Sequence, residues 1–220
     1  MPAETAPQDT PPFDPTAALT YTCPPHVLEL AQDTLSRLSN DASPPTQAFI
    51  DRLQGELPVG MGAHKVVYDY KPGQVVALYR WPPDDLGRLR HEFYARKLAH
   101  ELLPDCIPHV HFAASQPLRM VIDKVEDYTH LSRDVGQETA KTLKQFNSLG
   151  FLIDSLSPNF HIDSNGTAVY VDDVWNEKSY HRITREAILD GVIEDLPEDR
   201  QAGVLRYMTQ LDRLCEIEDQ

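Results

Sequence analysis

Residues 153–174 read IDSLSPNFHIDSNGTAVYVDDV. Asp154 is followed five residues later by Asn159 and thirteen further on by Asp172, with Pro158, a turn and two short apolar runs between them. NFHI and AVYV lie on either side of Asp163-Ser164-Asn165-Gly166, and the Asn-Gly pair predicts a turn that folds two strands side by side. Antiparallel pairing brings Asn159, at the start of one strand, near Asp172, just past the end of the other. Both side chains offer the hard oxygens that Mg²⁺ prefers, and Asp154, on a loop, is suited to accept a proton from an attacking hydroxyl. The spacing therefore predicts a metal and a phosphate at this stretch.

The chain on either side supplies the setting. RDVGQETAKTLKQFNSLG reads as a helix capped by Gly150, and helical pattern returns at about 181–190 and 197–216. Upstream, KVVYDYKPGQVVALYR shows two β-rich runs around Lys71-Pro72-Gly73, a hairpin signal. A helix of about 85–103 follows, then two strand candidates, HVHFAA and LRMVIDKV. VLELAQDTLSRL has helical periodicity over 25–38, and a second short helix starts at the proline pair of PPTQAFIDRL. The order predicts an α+β chain in two lobes: a helical extension at 25–54, a small β-sheet lobe at 55–126 and a mostly helical lobe at 127–220. Residues 1–24 form a polar, proline-rich leader without Lys or Arg, predicted to be disordered and read either as an idle tail or as an export address.

Composition narrows the partners. A net charge of −14 over 220 residues argues against nucleic-acid and anionic-membrane surfaces, both of which require clustered Lys and Arg. Cys23, Cys106 and Cys215 are widely spread, without metal-ligand spacing, and read as reduced thiols. No apolar run is long enough to cross a bilayer, so the chain is expected to be soluble. His109 and His111 alternate to one side of a strand but have no third ligand nearby, so they read as surface or satisfied histidines. Asp173 reads as a solvated charge, because strand alternation sends it away from Asp172. Trp81, ahead of two prolines, reads as a packing anchor.

GMGAHKVV, residues 60–67, matches a glycine-rich phosphate loop at Gly60, Gly62 and Val67, with Lys65 in place of the third glycine. Together with Asp154, Asn159 and Asp172, this order resembles the protein kinases, which carry a catalytic Asp, a metal-binding Asn five residues later and a metal-binding Asp after a hairpin. The resemblance spans roughly residues 56–176. In length and economy the chain looks most like the minimal effector kinases that bacteria inject into host cells, including the OspG, NleH and HopBF families. There are departures: Leu152 and Ile153 precede Asp154, Leu156 stands where many kinases have a lysine, the metal element reads Asp172-Asp173-Val174, and Tyr79 occupies the usual lysine position of the third strand. A lysine at the third glycine position is similar to the arrangement in the WNK kinases.

The resemblance implies an ATP- and Mg²⁺-dependent protein kinase with a Ser/Thr acceptor on a host protein, secreted and acting in the host cytoplasm. Lys65 then holds phosphates beside Gly60 and Gly62, with Arg80 as its rival; Glu92, ahead of Glu101, is the expected partner of that lysine. Asn159 and Asp172 hold the metal and Asp154 orients the acceptor. Two other functions stand beside it: a pseudokinase acting as a binding module, and a small-molecule phosphotransferase.

Overall fold

The computed structural model describes residues 21–40, 42–80, 85–131, 134–174 and 178–217. Most of the proline-rich leader and Trp81 lie outside them. Two helices lead, α1 (Pro25–Ser39) and α2 (Pro44–Leu53), each with prolines in its first turn, where the missing N–H costs nothing. A five-stranded antiparallel sheet follows, built from β1 (Gly60–Met61), β2 (Lys65–Lys71), β3 (Gln74–Tyr79), β4 (Val110–Ser115) and β5 (Leu118–Asp123) in the order β1-β2-β3-β5-β4. Between β3 and β4 runs α3 (Leu86–Leu102). The remainder is α4 (Val135–Ser148), the short pair β6 (Phe160–Ile162) and β7 (Ala168–Tyr170), α5 (Lys178–Ala187), one π-helical segment over Ile188–Val192, and α6 (Glu198–Ile217). The chain is thus α+β, a small sheet with a largely helical region behind it.

Both faces of the sheet are covered, which is why its strands read as apolar runs rather than as clean alternation. Val66, Tyr68, Val76, Leu78 and Val121 point to one face and pack against Ala31 and Leu35 of α1 and Ile50 and Leu53 of α2. Ala77, Tyr79, Met120 and Ile122 point to the other and meet Leu89 of α3. The far side of α3, through Ala95, Leu98, Ala99 and Leu102, enters a second core with Phe146 of α4, Tyr170 of β7 and Val204, Met208 and Leu211 of α6. A single helix therefore serves both the sheet and the helical region.

The predicted elements lie close to the observed ones. The 181–190 helix is the exception, starting at Lys178 and giving way at Ile188 to a π turn. Cys106 and Cys215 are buried and Cys23 half-buried, all three as free thiols. Among the described residues no helix is long and apolar enough to cross a membrane.

Candidate active site

Lys65 opens β2 directly opposite Tyr79 of β3, so the two side chains share a face of the sheet. The lysine therefore rises beside the position that Tyr79 occupies on the third strand. Arg80 lies one residue past the end of β3, its N–H donating to the His64 carbonyl at 2.7 Å. The Lys65 side chain is 6% exposed, and its Nζ lies 2.7 Å from Asp172 Oδ1 and 2.6 Å from Asp173 Oδ1. Asp173 is itself buried, which corrects its reading as a solvated charge. β7 ends at Tyr170, so strand alternation no longer governs Asp172 and Asp173 and both carboxylates reach one ammonium.

Glu92 is buried, as a lysine partner would be, but the ion pair it makes is a different one. Its Oε1 accepts from Arg96 Nε at 2.5 Å and from the Val174 N–H at 3.2 Å. Arg96, one turn along α3 and fully buried, also donates to the carbonyls of Val171 and Asp172. The expected Glu92–Lys65 pair is replaced by a relay in which Glu92 holds Arg96 and Arg96 holds the backbone that carries Asp172. Glu101, the second choice, lies against α6, beside Gly203.

The expected hairpin forms, with the backbone of Asn159 beside that of Val171. Phe160 pairs with Tyr170, and the Val171 N–H donates to the Asn159 carbonyl at 2.9 Å, which sets Asn159 next to the residue before Asp172. Asp154 lies on the loop after α4, exposed, with its Oδ1 capping the Leu156 N–H at 3.1 Å. Buried Tyr170 joins the two halves. The Asp154 N–H donates to Tyr170 Oη at 3.1 Å, and that hydroxyl donates to the Asp173 carbonyl at 3.0 Å. Sequence reasoning missed Asp173, Arg96 and Tyr170; of these only Arg96 left a local trace, its i,i+4 spacing from Glu92.

The glycine-rich turn spans Gly62 to Lys65 and is closed by a Gly62 N–H to Lys65 carbonyl bond of 3.0 Å. Neither Gly60 nor Gly62 has a positive φ, and a Cβ on Gly62 would meet Asp172 Oδ1 at 4.0 Å, ordinary contact. The turn tip therefore hangs over Asp172, and glycine there keeps the backbone close without being required by its dihedrals.

The electrostatics follow from this crowding. Burial pushes Glu92 up to about 7, helped by the Asp173 carboxylate and opposed by Arg96 and Lys65. Burial would also raise Asp172, but the charge and hydrogen bond of Lys65, with help from Arg96, outweigh it and hold that carboxyl below its ordinary value. Asp172 is the carboxylate of the cluster that opens outward, its side chain 33% exposed. Asp172 and the half-exposed Asn159 both carry side-chain oxygens of the hard kind that Mg²⁺ prefers. No family model matches the chain, and no curated protein matches it either.

Proposed function

We propose that this chain transfers the γ-phosphate of ATP to a protein hydroxyl, as a minimal protein kinase. The observation that carries the reading is the meeting of Lys65 with Asp172 under the Gly62 turn, next to Asn159 and tied to Asp154 through Tyr170. Lys65 supplies the positive charge for phosphate oxygens, in place of the lysine that Tyr79 displaces. Asn159 and Asp172 are the residues that would hold Mg²⁺, which neutralises phosphate charge when bound. Arg96, fixed by Glu92, keeps the Asp172 backbone in position. Asp154 accepts a hydrogen bond from the attacking hydroxyl and orients it. A Ser/Thr acceptor on a host protein, reached after secretion, rests on the resemblance to the bacterial effector kinases.

One observation favours a pseudokinase as the second reading: Lys65 is paired with two carboxylates of the chain itself, which compete with phosphate for its charge. Labelled ATP with a lysate, together with thermal shifts in ATP and Mg²⁺, separates the two. Asp172→Ala is expected to abolish both transfer and the nucleotide-dependent shift. Asp154→Ala is expected to lose orders of magnitude in rate while keeping the shift, since the interaction it removes belongs to the transition state. A shift without transfer in the wild type would select the pseudokinase, and full activity in Asp172→Ala would exclude the kinase.

A further inference from the structure

At the other end of the sheet from Lys65 lies a second cluster of chemically capable side chains. β3 runs from Gln74, paired with Asp123, to Tyr79, paired with Lys65, which separates the two places by about 17 Å at strand rise. His109 precedes β4, His111 lies within it, and Asp123 ends β5. We propose that these three residues form a binding site for a divalent transition cation of the zinc class.

Backbone geometry brings them together. The Asp123 N–H donates to the His109 carbonyl at 2.9 Å, fixing the two residues side by side. Val110 pairs with Ile122 but Phe112 pairs with Val121, so His111 is an extra residue on its strand. Such a bulge re-aims a side chain, and His111 Nε2 comes to 2.6 Å from Asp123 Oδ1. The His109 and His111 rings stand edge to face with centroids 4.9 Å apart. One ring nitrogen of each histidine and one carboxylate oxygen of Asp123 all lie within 4.8 Å of one another.

A bound zinc needs ligand bonds of about 2.0–2.2 Å, hence ligand atoms about 3.3 Å apart. The remaining closure falls to side chains with room to move, since His111 is 33% and Asp123 46% exposed. Two imidazoles and a carboxylate are the nitrogen and oxygen donors that suit zinc rather than Mg²⁺ or Ca²⁺, and three protein ligands leave a fourth position for water. His109 and Asp123 open onto a cavity of about 960 Å³. Its wall carries the carboxylates of Glu56, Asp69, Asp105, Asp123, Glu126 and Asp163 against three basic side chains, a field that favours a cation. Two groups oppose one and must turn aside: Lys97 of α3, with Nζ 2.9 Å from His109 Nε2, and the Gln74 side-chain amide, with Nε2 3.0 Å from His111 Nε2. A metal here ties β4 to β5 directly before the 124–127 segment that leaves the sheet.

The test is zinc chloride titrated into the untagged full chain, read by calorimetry and by metal content after dialysis. One zinc per chain is expected, with a rise in melting temperature. His111→Gln and Asp123→Asn, both at accessible positions, should each weaken binding at least tenfold. Lys97→Met should tighten it by removing the opposing charge, and His26→Gln, on α1, should leave it unchanged. Cobalt(II) in the same site should give a spectrum without thiolate charge transfer. Zinc binding that survives unchanged in His111→Gln, thiolate bands in the cobalt protein, or no stoichiometric binding would each overturn the site. None of these readouts depends on phosphate transfer.

Discussion

Lys65 touches two carboxylates at once and shares a face of the sheet with Tyr79, whereas Arg80, its rival, lies one residue past β3. Lys65→Met is expected to abolish phosphate transfer, because it removes the charge beside Asp172. It should also lower stability by about 3 kcal/mol, since Asp173 is left buried without its ammonium. Arg80→Met, past the end of β3, should keep most activity and most stability. Assays run well below both melting temperatures separate chemistry from unfolding. If Arg80→Met is dead and Lys65→Met active, the phosphate contact belongs to the other register of the third strand.

At the scale of elements, much was legible because helix and strand periods and turn residues are local signals. Lys71-Pro72-Gly73 and Asn165-Gly166 marked the two hairpins, and the second is what brings Asn159 toward Asp172. The partners of the charged residues were not legible. Arg96 reaches Asp172 across 76 residues and Lys65 reaches Asp173 across 108, distances over which no sequence period carries information. His109 and His111 found their third candidate ligand, Asp123, only through the pairing of β4 with β5 and a bulge. Gly150 shows how an expected cap acquires a second duty. It ends α4 with φ +75°, and a Cβ there would stand 2.8 Å from Ile183 Cγ2 and 2.9 Å from the Thr184 backbone nitrogen of α5. Gly166, at φ +82°, has open space around it. Gly166→Ala should therefore cost about 1 kcal/mol of backbone strain. Gly150→Ala should cost clearly more, because α5 must also retreat. Urea titrations of the two variants give the comparison, and equal losses would show that the α4–α5 contact yields freely.

Across the whole molecule, the two lobes expected from sequence are joined more closely than a boundary at 126/127 suggests. α3 puts Leu89 into the sheet core and Ala95, Leu98, Ala99 and Leu102 into the helical core. On the same helix Glu92 lies between those two sets and Arg96 among the second, both buried, bonded to each other and to the backbone of residues 171, 172 and 174. Loss of either core exposes one side of α3 and frees a buried ion pair, which is strongly unfavourable when one partner is stranded. Neither lobe can therefore unfold without destabilising the other, and a single cooperative transition is expected. Phe146→Ala, deep in the helical core, and Val76→Ala, deep in the sheet core, should each lower one common melting temperature, with losses of about 3–5 kcal/mol for the first and about 2 kcal/mol for the second. Far-ultraviolet dichroism weighted to the helices and calorimetry should report coincident transitions in both variants. Two separated transitions, with only one moved by each substitution, would mean that α3 does not couple the lobes and that the site between them is assembled only when both happen to be folded.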